Sequence, residues 1–189
     1  MSVQLPVSTS PQRARLTARD FWVLADSGAF SDFAKSELIE GELFVVNSVH
    51  SRHARIHAML TIEIGIALKA MKSSLIPLAA PSVDLSDDSV PEPDIAIARR
   101  AEGKGTPVDQ VVLAVEISDS SLKMDLGRKQ RLYARAGIPE YWVANVAKGT
   151  LRQHWEPGAD GYAQTRDISF GERIEAVTIP GLVFDTVSI

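Results

Sequence analysis

Three acidic residues of this 189-residue chain stand at positions where a structural protein seldom places a carboxylate. Glu37 opens a hairpin-like segment, Asp94 begins a short apolar segment of strand length, and Glu116 interrupts the apolar run 111–117. An unpaired buried carboxylate is costly, so we expect each to find a metal, a cation or a proton. A shared Mg²⁺ or Mn²⁺ ion would satisfy more than one of them, and its bound water is suited to attack on a phosphodiester.

Polar residues that follow Glu116 extend this candidate site onto a helix. Side chains at i and i+2 of a strand share a face, so Ser118 points the same way as Glu116, although serine is too short to replace a lysine. Asp125, Lys129 and Tyr133 are spaced four residues apart and form one helical stripe that faces the strand. The long stem of Lys129 can therefore bring an ammonium group to the carboxylates.

Each of these residues also has a purely structural alternative. Glu116 could be half of a buried ion pair, and Lys129 could pair with Asp125 on a solvated helix face. Glu37 could be one of several solvent-facing glutamates of a hairpin, and Tyr133 could be a packing residue. These alternatives stay open at the level of the sequence.

Three histidines form a second candidate cluster. His50, His53 and His57 share a helix face, and imidazoles at this spacing can hold Zn²⁺, which would make the protein a histidine-centred metallohydrolase. Arg52 and Arg55 lie between them, which favours a basic, partly solvated helix start near a groove. We therefore expect His53 to contact substrate and not to bind a metal.

The elements that must position these residues follow from hydrophobic periodicity. Thr17 is the predicted N-cap of a first helix that ends near Gly28, and Ser120 and Ser121 are the predicted cap hydroxyls of another helix. The predicted helices span residues 17–28, 53–72 and 122–136. The predicted strands comprise a hairpin at 37–46, strands at 74–79, 94–98, 111–117 and 140–146, and short strands around 151–155, 162–166 and 173–184.

These elements predict an α/β architecture, in which a mixed β-sheet is flanked by helices. The strand–helix–strand sequence 111–146 predicts a crossover whose two strands, 111–117 and 140–146, are parallel. Chain length predicts one domain over residues 17–189, preceded by a flexible N-terminal segment, residues 1–16.

Composition narrows the possible functions. The absence of cysteine excludes disulfides, thiolate metal sites and a cysteine nucleophile. No segment has the apolar length of a signal-peptide core or a membrane span, so we expect a cytoplasmic protein. A net charge of −4 argues weakly against nucleic-acid binding. Basic residues near the candidate site elements, such as Lys104, Lys123, Arg128 and Arg131, could nevertheless form a local phosphate-binding surface.

The chain resembles the Uma-two family of restriction endonuclease-like proteins, within the PD-(D/E)XK nuclease superfamily, from about residue 17 to residue 184. The resemblance rests on the order and spacing of several motifs: Glu37-Leu-Ile-Glu-Gly41, His53, Pro93-Asp94, Glu116-Ile-Ser118 with Ser120, Asp125, Lys129, Tyr133, and Gly137-Ile-Pro-Glu-Tyr-Trp142.

The resemblance implies a restriction endonuclease-like core and a metal-dependent endonuclease that cleaves DNA and pairs as a homodimer. The apolar C-terminal strands are predicted to offer an edge for this pairing. It implies that Asp94 and Glu116 bind Mg²⁺ or Mn²⁺ and that Glu37 is an auxiliary acid. The superfamily's usual lysine position is Ser118 here, which implies that Lys129 has taken over the role of orienting the attacking water. The rival hypothesis is a catalytically silent nuclease-fold module that binds or regulates, because a fold does not guarantee activity.

Overall fold

The computed structural model describes residues 13–47, 50–100 and 103–186. The helices are α1 (Ala18–Asp26), α2 (Ser51–Ala70), α3 (Leu122–Met124) and α4 (Gln130–Arg135), with a 3₁₀ turn at Val108–Gln110 and a π-helical segment, Asp125–Lys129, between α3 and α4. The strands are β1 (Lys35–Ile39), β2 (Glu42–Val46), β3 (Ile76–Ala79), β4 (Val83–Asp84), β5 (Ile95–Ala98), β6 (Thr106–Pro107), β7 (Val111–Ser118), β8 (Glu140–Asn145), β9 (Thr150–Gly158), β10 (Gly161–Ser169), β11 (Arg173–Glu175) and β12 (Val183–Asp185).

A six-stranded mixed sheet in the order β10-β9-β8-β7-β5-β3 forms the centre of the fold. Strand β7 is buried along its whole length, as its nearly continuous apolar sequence predicts. It pairs in parallel with β8 and antiparallel with β5. The predicted mixed sheet and the predicted parallel crossover from β7 to β8 are both confirmed.

The two faces of the sheet have different neighbours. Helix α2 covers one face with its apolar stripe, which packs against Leu113, Val115 and Ile117 of β7. The opposite face of β7 carries Ala114 and Glu116, and Leu132 and Tyr133 of α4 pack on this side. Because side chains alternate along a strand, the carboxylate of Glu116 faces α4 and the π-helical segment.

The first helix is a packing element. Thr17 accepts a hydrogen bond from the Asp20 N–H, and Asp20 accepts one from the Thr17 N–H, so the predicted N-cap is present as a complete capping box. Phe21 is buried against Leu38 and Val90. Residues 1–12 of the predicted N-terminal segment and residues 187–189 of the predicted domain lie outside the described residues, and the domain boundaries stay predictions.

Four features depart from the predictions. The helix predicted at 122–136 contains the π-helical segment, and Ser121, its N-cap, makes no side-chain capping bond. Strands β1 and β2 form a separate two-stranded sheet, as do β11 and β12. Strand β4 pairs in parallel with β6, although no strand is predicted at the residues of either.

Within the described ranges, no helix has the length and hydropathy needed to span a membrane.

The C-terminal strands also differ from the prediction that they offer an edge for dimer formation. The C-terminal strands were expected to offer an apolar edge, but Ile174 of β11 and Phe184 of β12 are buried in the core. The edge strands of the main sheet are β10 and β3, and β10 is mostly exposed. Homodimer formation therefore stays a prediction without this support.

Candidate active site

The hairpin β1–β2 delivers Glu37 to the site. Its turn places Glu40 and Gly41 at positive φ (49° and 78°), and a Cβ on Gly41 would lie 2.8 Å from Cβ of Arg15, so glycine is required there. Glu37 is 7% exposed, and one of its carboxylate oxygens accepts hydrogen bonds from the Glu92 N–H (2.8 Å) and the Lys129 ammonium (2.7 Å). The alternative of a solvent-facing Glu37 is therefore wrong.

Asp94 is held by donors from three elements. Its Oδ2 accepts hydrogen bonds from the Ile117 N–H (2.6 Å) and from His53 Nε2 (3.2 Å), while its Oδ1 lies 3.4 Å from Lys35 Nζ. Burial alone would raise the pKa of Asp94, but the His53 hydrogen bond, the Lys35 charge and the Ile117 N–H together lower it. Asp94 is therefore held as a carboxylate.

Glu116 lies on the opposite side of the same small space. Its Oε1 accepts hydrogen bonds from Lys129 Nζ and Tyr133 Oη, each at 2.9 Å, and its Oε2 lies 3.7 Å from Lys35 Nζ. Burial raises the pKa of Glu116 to about 8, against the opposing charges of Lys129 and Lys35. Burial would lower the pKa of Lys129, but the charges of Glu116 and Glu37 raise it, so Lys129 carries its charge.

Lys129 does not lie on a solvated helix face. The residue is 3% exposed, and its ammonium bridges Glu37 and Glu116 instead of pairing with Asp125 on the surface. It belongs to the π-helical segment, a widened turn that occurs frequently at functional sites. The predicted stripe of Asp125, Lys129 and Tyr133 does face β7, as the four-residue spacing indicates.

Asp125 and Ser118 lie behind the acids. Ser121 Oγ donates a hydrogen bond to Asp125 Oδ2 (2.5 Å), and Ser118 Oγ lies 3.4 Å from Ser121 Oγ. Burial raises the pKa of Asp125 against the opposing charge of Lys129. The Ser121 hydroxyl, predicted to cap the helix, thus holds a buried carboxylate instead.

Sequence reasoning did not single out Lys35, whose side chain lies among the candidate acids at the cavity. Its Nζ lies 3.4 Å from Asp94 Oδ1, 3.7 Å from Glu116 Oε2 and 4.0 Å from Glu37 Oε1. The signal that could have found it is its position two residues before Glu37 on β1, because residues at this spacing share a strand face. Glu92 was also missed, and burial raises its pKa to about 7.

The three histidines contact different acceptor atoms, and two of them contact Asp94. His50 Nδ1 lies 2.9 Å from Asp119 Oδ2, His53 donates to Asp94 Oδ2, and His57 Nε2 donates to the backbone oxygen of Asp94 at 2.7 Å. His53 and His57 thus position Asp94, and the histidine-centred zinc site is not formed. Among residues 13–47, 50–100 and 103–186, no group of three or more His, Cys, Asp or Glu side chains is arranged as a ready metal site.

The carboxylates are not ready for a metal because lysine ammonium groups lie between them. Their oxygen atoms nevertheless suit a hard divalent cation, which prefers carboxylate ligands. Asp94 Oδ1 and Glu116 Oε2 both face one point, which is occupied by the singly charged ammonium of Lys35. An open cavity of about 300 Å³ leads to this point, and Lys35, Glu37, Asp94, Glu116 and Lys129 all line it. Substrate can therefore approach the acids from solvent.

The basic residues considered as a phosphate surface are partly used in other contacts. Arg128 pairs with Glu40 and Glu42 on the hairpin and also donates to the Ile39 backbone oxygen. Lys104 pairs with Asp26 at the end of α1. Both side chains are already paired with carboxylates, so they contribute less to a phosphate-binding surface than their charges suggest.

A mixed sheet flanked by helices, with acids from several segments meeting at an open cavity, is the arrangement of a restriction endonuclease-like nuclease fold. The chain belongs to the Uma2 family, described as "Putative restriction endonuclease", whose model matches residues 29–187. The resemblance inferred from the motifs is thereby confirmed, and with it membership of a nuclease family.

A solved structure shares the fold. It is described as a "putative nuclease belonging to DUF820" from Anabaena variabilis, is 17% identical in sequence, and aligns with a TM-score of 0.57 over 78% of this chain and 82% of that chain. This structural match confirms the predicted fold class. No curated protein matches the chain at a significant level.

Proposed function

We propose that this protein is a divalent-metal-dependent endonuclease that hydrolyses phosphodiester bonds in DNA. One observation carries the proposal: Asp94 Oδ1 and Glu116 Oε2 face the same point at the cavity, while the other oxygen of each residue is fixed by protein donors. Carboxylates oriented in this way are pre-organised for a shared hard cation, for which Mg²⁺ and Mn²⁺ are the natural choices. Family membership supports a nucleic-acid substrate.

The roles of the residues follow from their contacts. Asp94 and Glu116 would hold the ion, whose chemistry is to activate a bound water and to stabilise charge on the phosphate. Two of the three N–H donors of Lys129 are used by Glu37 and Glu116, which leaves one to orient the attacking water. Glu37 is the auxiliary acid that fixes Lys129, and Tyr133 fixes Glu116.

The remaining residues act through these. His53 holds Asp94 Oδ2, so that Oδ1 stays turned toward the cavity. Asp125 and Ser118 form the polar layer behind the acids, linked through Ser121. DNA as the substrate, a homodimeric assembly and a cytoplasmic location are predictions that accompany this proposal.

The test is cleavage of supercoiled plasmid and of single-stranded DNA with Mg²⁺ or Mn²⁺. We expect metal-dependent nicking by the wild type and a loss of about 100-fold or more in Asp94→Asn and Lys129→Ala. Asp167→Asn, a change of the same kind at an exposed pair with Arg152, should keep full activity. Cleavage unaffected by Asp94→Asn would place the activity elsewhere.

The rival is the catalytically silent module, and metal binding distinguishes it from the nuclease. The wild type should bind Mn²⁺ in a calorimetric titration, and Asp94→Asn should not. A wild type that neither cleaves either DNA nor binds Mn²⁺ would refute the nuclease and favour the silent module.

A further inference from the structure

Lys35 lies at the centre of the acidic cluster. Its ammonium is within 4.0 Å of carboxylate oxygens from three separate segments, those of Glu37, Asp94 and Glu116. It shares a face of β1 with Glu37, so the hairpin delivers an acid and a cation to the cluster together. The ammonium of Lys35 is thus a counter-ion shared by three acids.

The two lysines of the cluster are not equivalent. The side chain of Lys129 is 4% exposed, and its Nζ lies 2.7 and 2.9 Å from its acceptors. The side chain of Lys35 is 15% exposed, and its contacts are longer, at 3.4, 3.7 and 4.0 Å. Lys35 is therefore the more loosely held of the two, and a flexible four-carbon stem allows its ammonium to move.

The oxygens that face Lys35 are those that the proposed metal needs. Asp94 Oδ2 and Glu116 Oε1 are engaged by the protein, so Asp94 Oδ1 and Glu116 Oε2 are the atoms turned to the cavity. A Mg²⁺ ion binds oxygen at about 2.1 Å, closer than an ammonium nitrogen approaches. Two cations cannot share this point because their charges repel at a few ångströms.

We propose that Lys35 is a tethered counter-ion whose ammonium occupies the divalent-cation position in the metal-free protein, and that a divalent ion binds by displacing it. The inference rests on the proposed function in one respect, since it assumes that Asp94 and Glu116 hold a divalent ion. Lys35 is then a positioning residue that keeps the acids oriented without metal and weakens the binding of metal.

The test is calorimetric titration with Mn²⁺, which does not depend on activity. Lys35→Met keeps the apolar stem and removes the charge, and we expect it to bind Mn²⁺ at least about tenfold more tightly than the wild type. Lys35→Arg keeps the charge and should bind no more tightly than the wild type. Lys104→Met removes one positive charge from the surface pair with Asp26 and should stay within about twofold of the wild type.

Thermal unfolding gives a second measurement. Without metal, Lys35→Met should melt below the wild type because three carboxylates lose their shared counter-ion, and Mn²⁺ should raise its melting temperature by more than it raises that of the wild type. Lys35→Gln, whose amide can donate to the carboxylates without carrying charge, takes the same tests if the methionine variant does not fold. The double variant Lys35→Met/Asp94→Asn should lose Mn²⁺ binding.

The outcomes separate this inference from the proposed function. If the wild type binds Mn²⁺ and Lys35→Met binds no more tightly, the displacement of Lys35 is refuted while the metal site stands. If neither protein binds Mn²⁺, the metal-dependent function itself fails and the inference fails with it. Tighter binding by Lys104→Met to the same extent would show a general charge effect and would also overturn the role of Lys35.

Discussion

Replacing Lys129 with methionine tests the central contacts of the site. The substitution keeps the long apolar stem but removes an ammonium that donates to Glu37 Oε1 at 2.7 Å and to Glu116 Oε1 at 2.9 Å. Lys129 is 3% exposed, so water cannot readily take its place. Both carboxylates would then stay buried, with the Glu92 N–H and the Tyr133 hydroxyl as remaining donors.

The size of the effect follows from this burial. Two hydrogen bonds from a charged group contribute about 1.5–3 kcal/mol each, and removal of one partner of a buried ion pair costs about 3–5 kcal/mol. Protonation limits the loss, since burial already raises the pKa of Glu116 to about 8 and the loss of Lys129 would raise it further. We therefore expect Lys129→Met to lower the free energy of unfolding by about 3 kcal/mol near pH 8.

The pH dependence has a definite sign. In both proteins the folded state takes up a proton on Glu116 at a higher pH than the unfolded chain does, because the folded pKa is raised. Between about pH 8 and the unfolded glutamate value of about 4.3 both proteins therefore gain stability together as the pH falls, and the loss caused by Lys129→Met stays nearly constant. Above about pH 8 only the variant, in which removal of the Lys129 charge raises the pKa of Glu116 further, continues to lose stability, so the loss caused by Lys129→Met should be larger at about pH 9 than at about pH 7.

Urea unfolding followed by tryptophan fluorescence measures this, since Trp142 is fully buried in the core. Lys104→Met is the matched control, because Lys104 is 63% exposed in a surface pair, and it should change stability by no more than about 0.5 kcal/mol. A loss below about 1 kcal/mol for Lys129→Met, or a loss that does not grow between about pH 7 and about pH 9, would refute the buried ion pairs of Lys129 with Glu37 and Glu116.

Other parts of the chain give further predictions. Burial lowers the pKa of His154 to about 4. The free energy of unfolding of the wild type should therefore fall by up to about 3 kcal/mol as the pH falls from about 6.5 to about 4, because the unfolded chain binds the proton first. His154→Phe should lack this part of the pH dependence in urea titrations. Equal pH slopes for the two proteins would contradict it. Thr17→Ala breaks the capping box with Asp20 and should cost about 1 kcal/mol, whereas Thr17→Ser should be nearly neutral in thermal melts; equal losses would refute the cap. Glu140 is fully buried and accepts from Trp142 Nε1 and two backbone N–H groups, so Glu140→Gln should cost about 2 kcal/mol in urea unfolding, and no loss would disprove this anchoring role.

The sequence predicts the sheet well because its strongest signals are local. The apolar run that became β7 and the helical stripe that became α2 are decided by periodicity, and the crossover rule then fixes β8 beside β7. The π-helical segment has no such signal, since a widened turn depends on which side chains the tertiary contacts draw inward. The pairing of β1 with β2 was predicted from the turn, but their separation from the main sheet was not.

The acids of the site were found because a carboxylate in an apolar strand is conspicuous, as Glu116 shows. Lys35 was missed because one lysine among 20 lysine and arginine residues has no such contrast. Its position depends on how the β1–β2 hairpin docks against Asp94 and Glu116, which is long-range information. Ser121 was misassigned for a related reason, since a hydroxyl before a helix predicts a cap unless a buried acceptor such as Asp125 competes.

The charges of the cluster give a common reason for its unusual properties. Five carboxylates meet two ammonium groups, those of Lys35 and Lys129, so the charged forms of the cluster leave an excess of three negative charges. The five acids are Glu37, Glu92, Asp94, Glu116 and Asp125. A buried excess of this kind is relieved either by protons or by an added cation. The raised pKa values of Glu92, Glu116 and Asp125 are the first response, and a divalent ion, which would offset most of the excess, would be the second. Protons and metal would then compete for the same oxygens. Lys35 would influence this competition because its ammonium makes longer contacts than that of Lys129 and can therefore be displaced more easily.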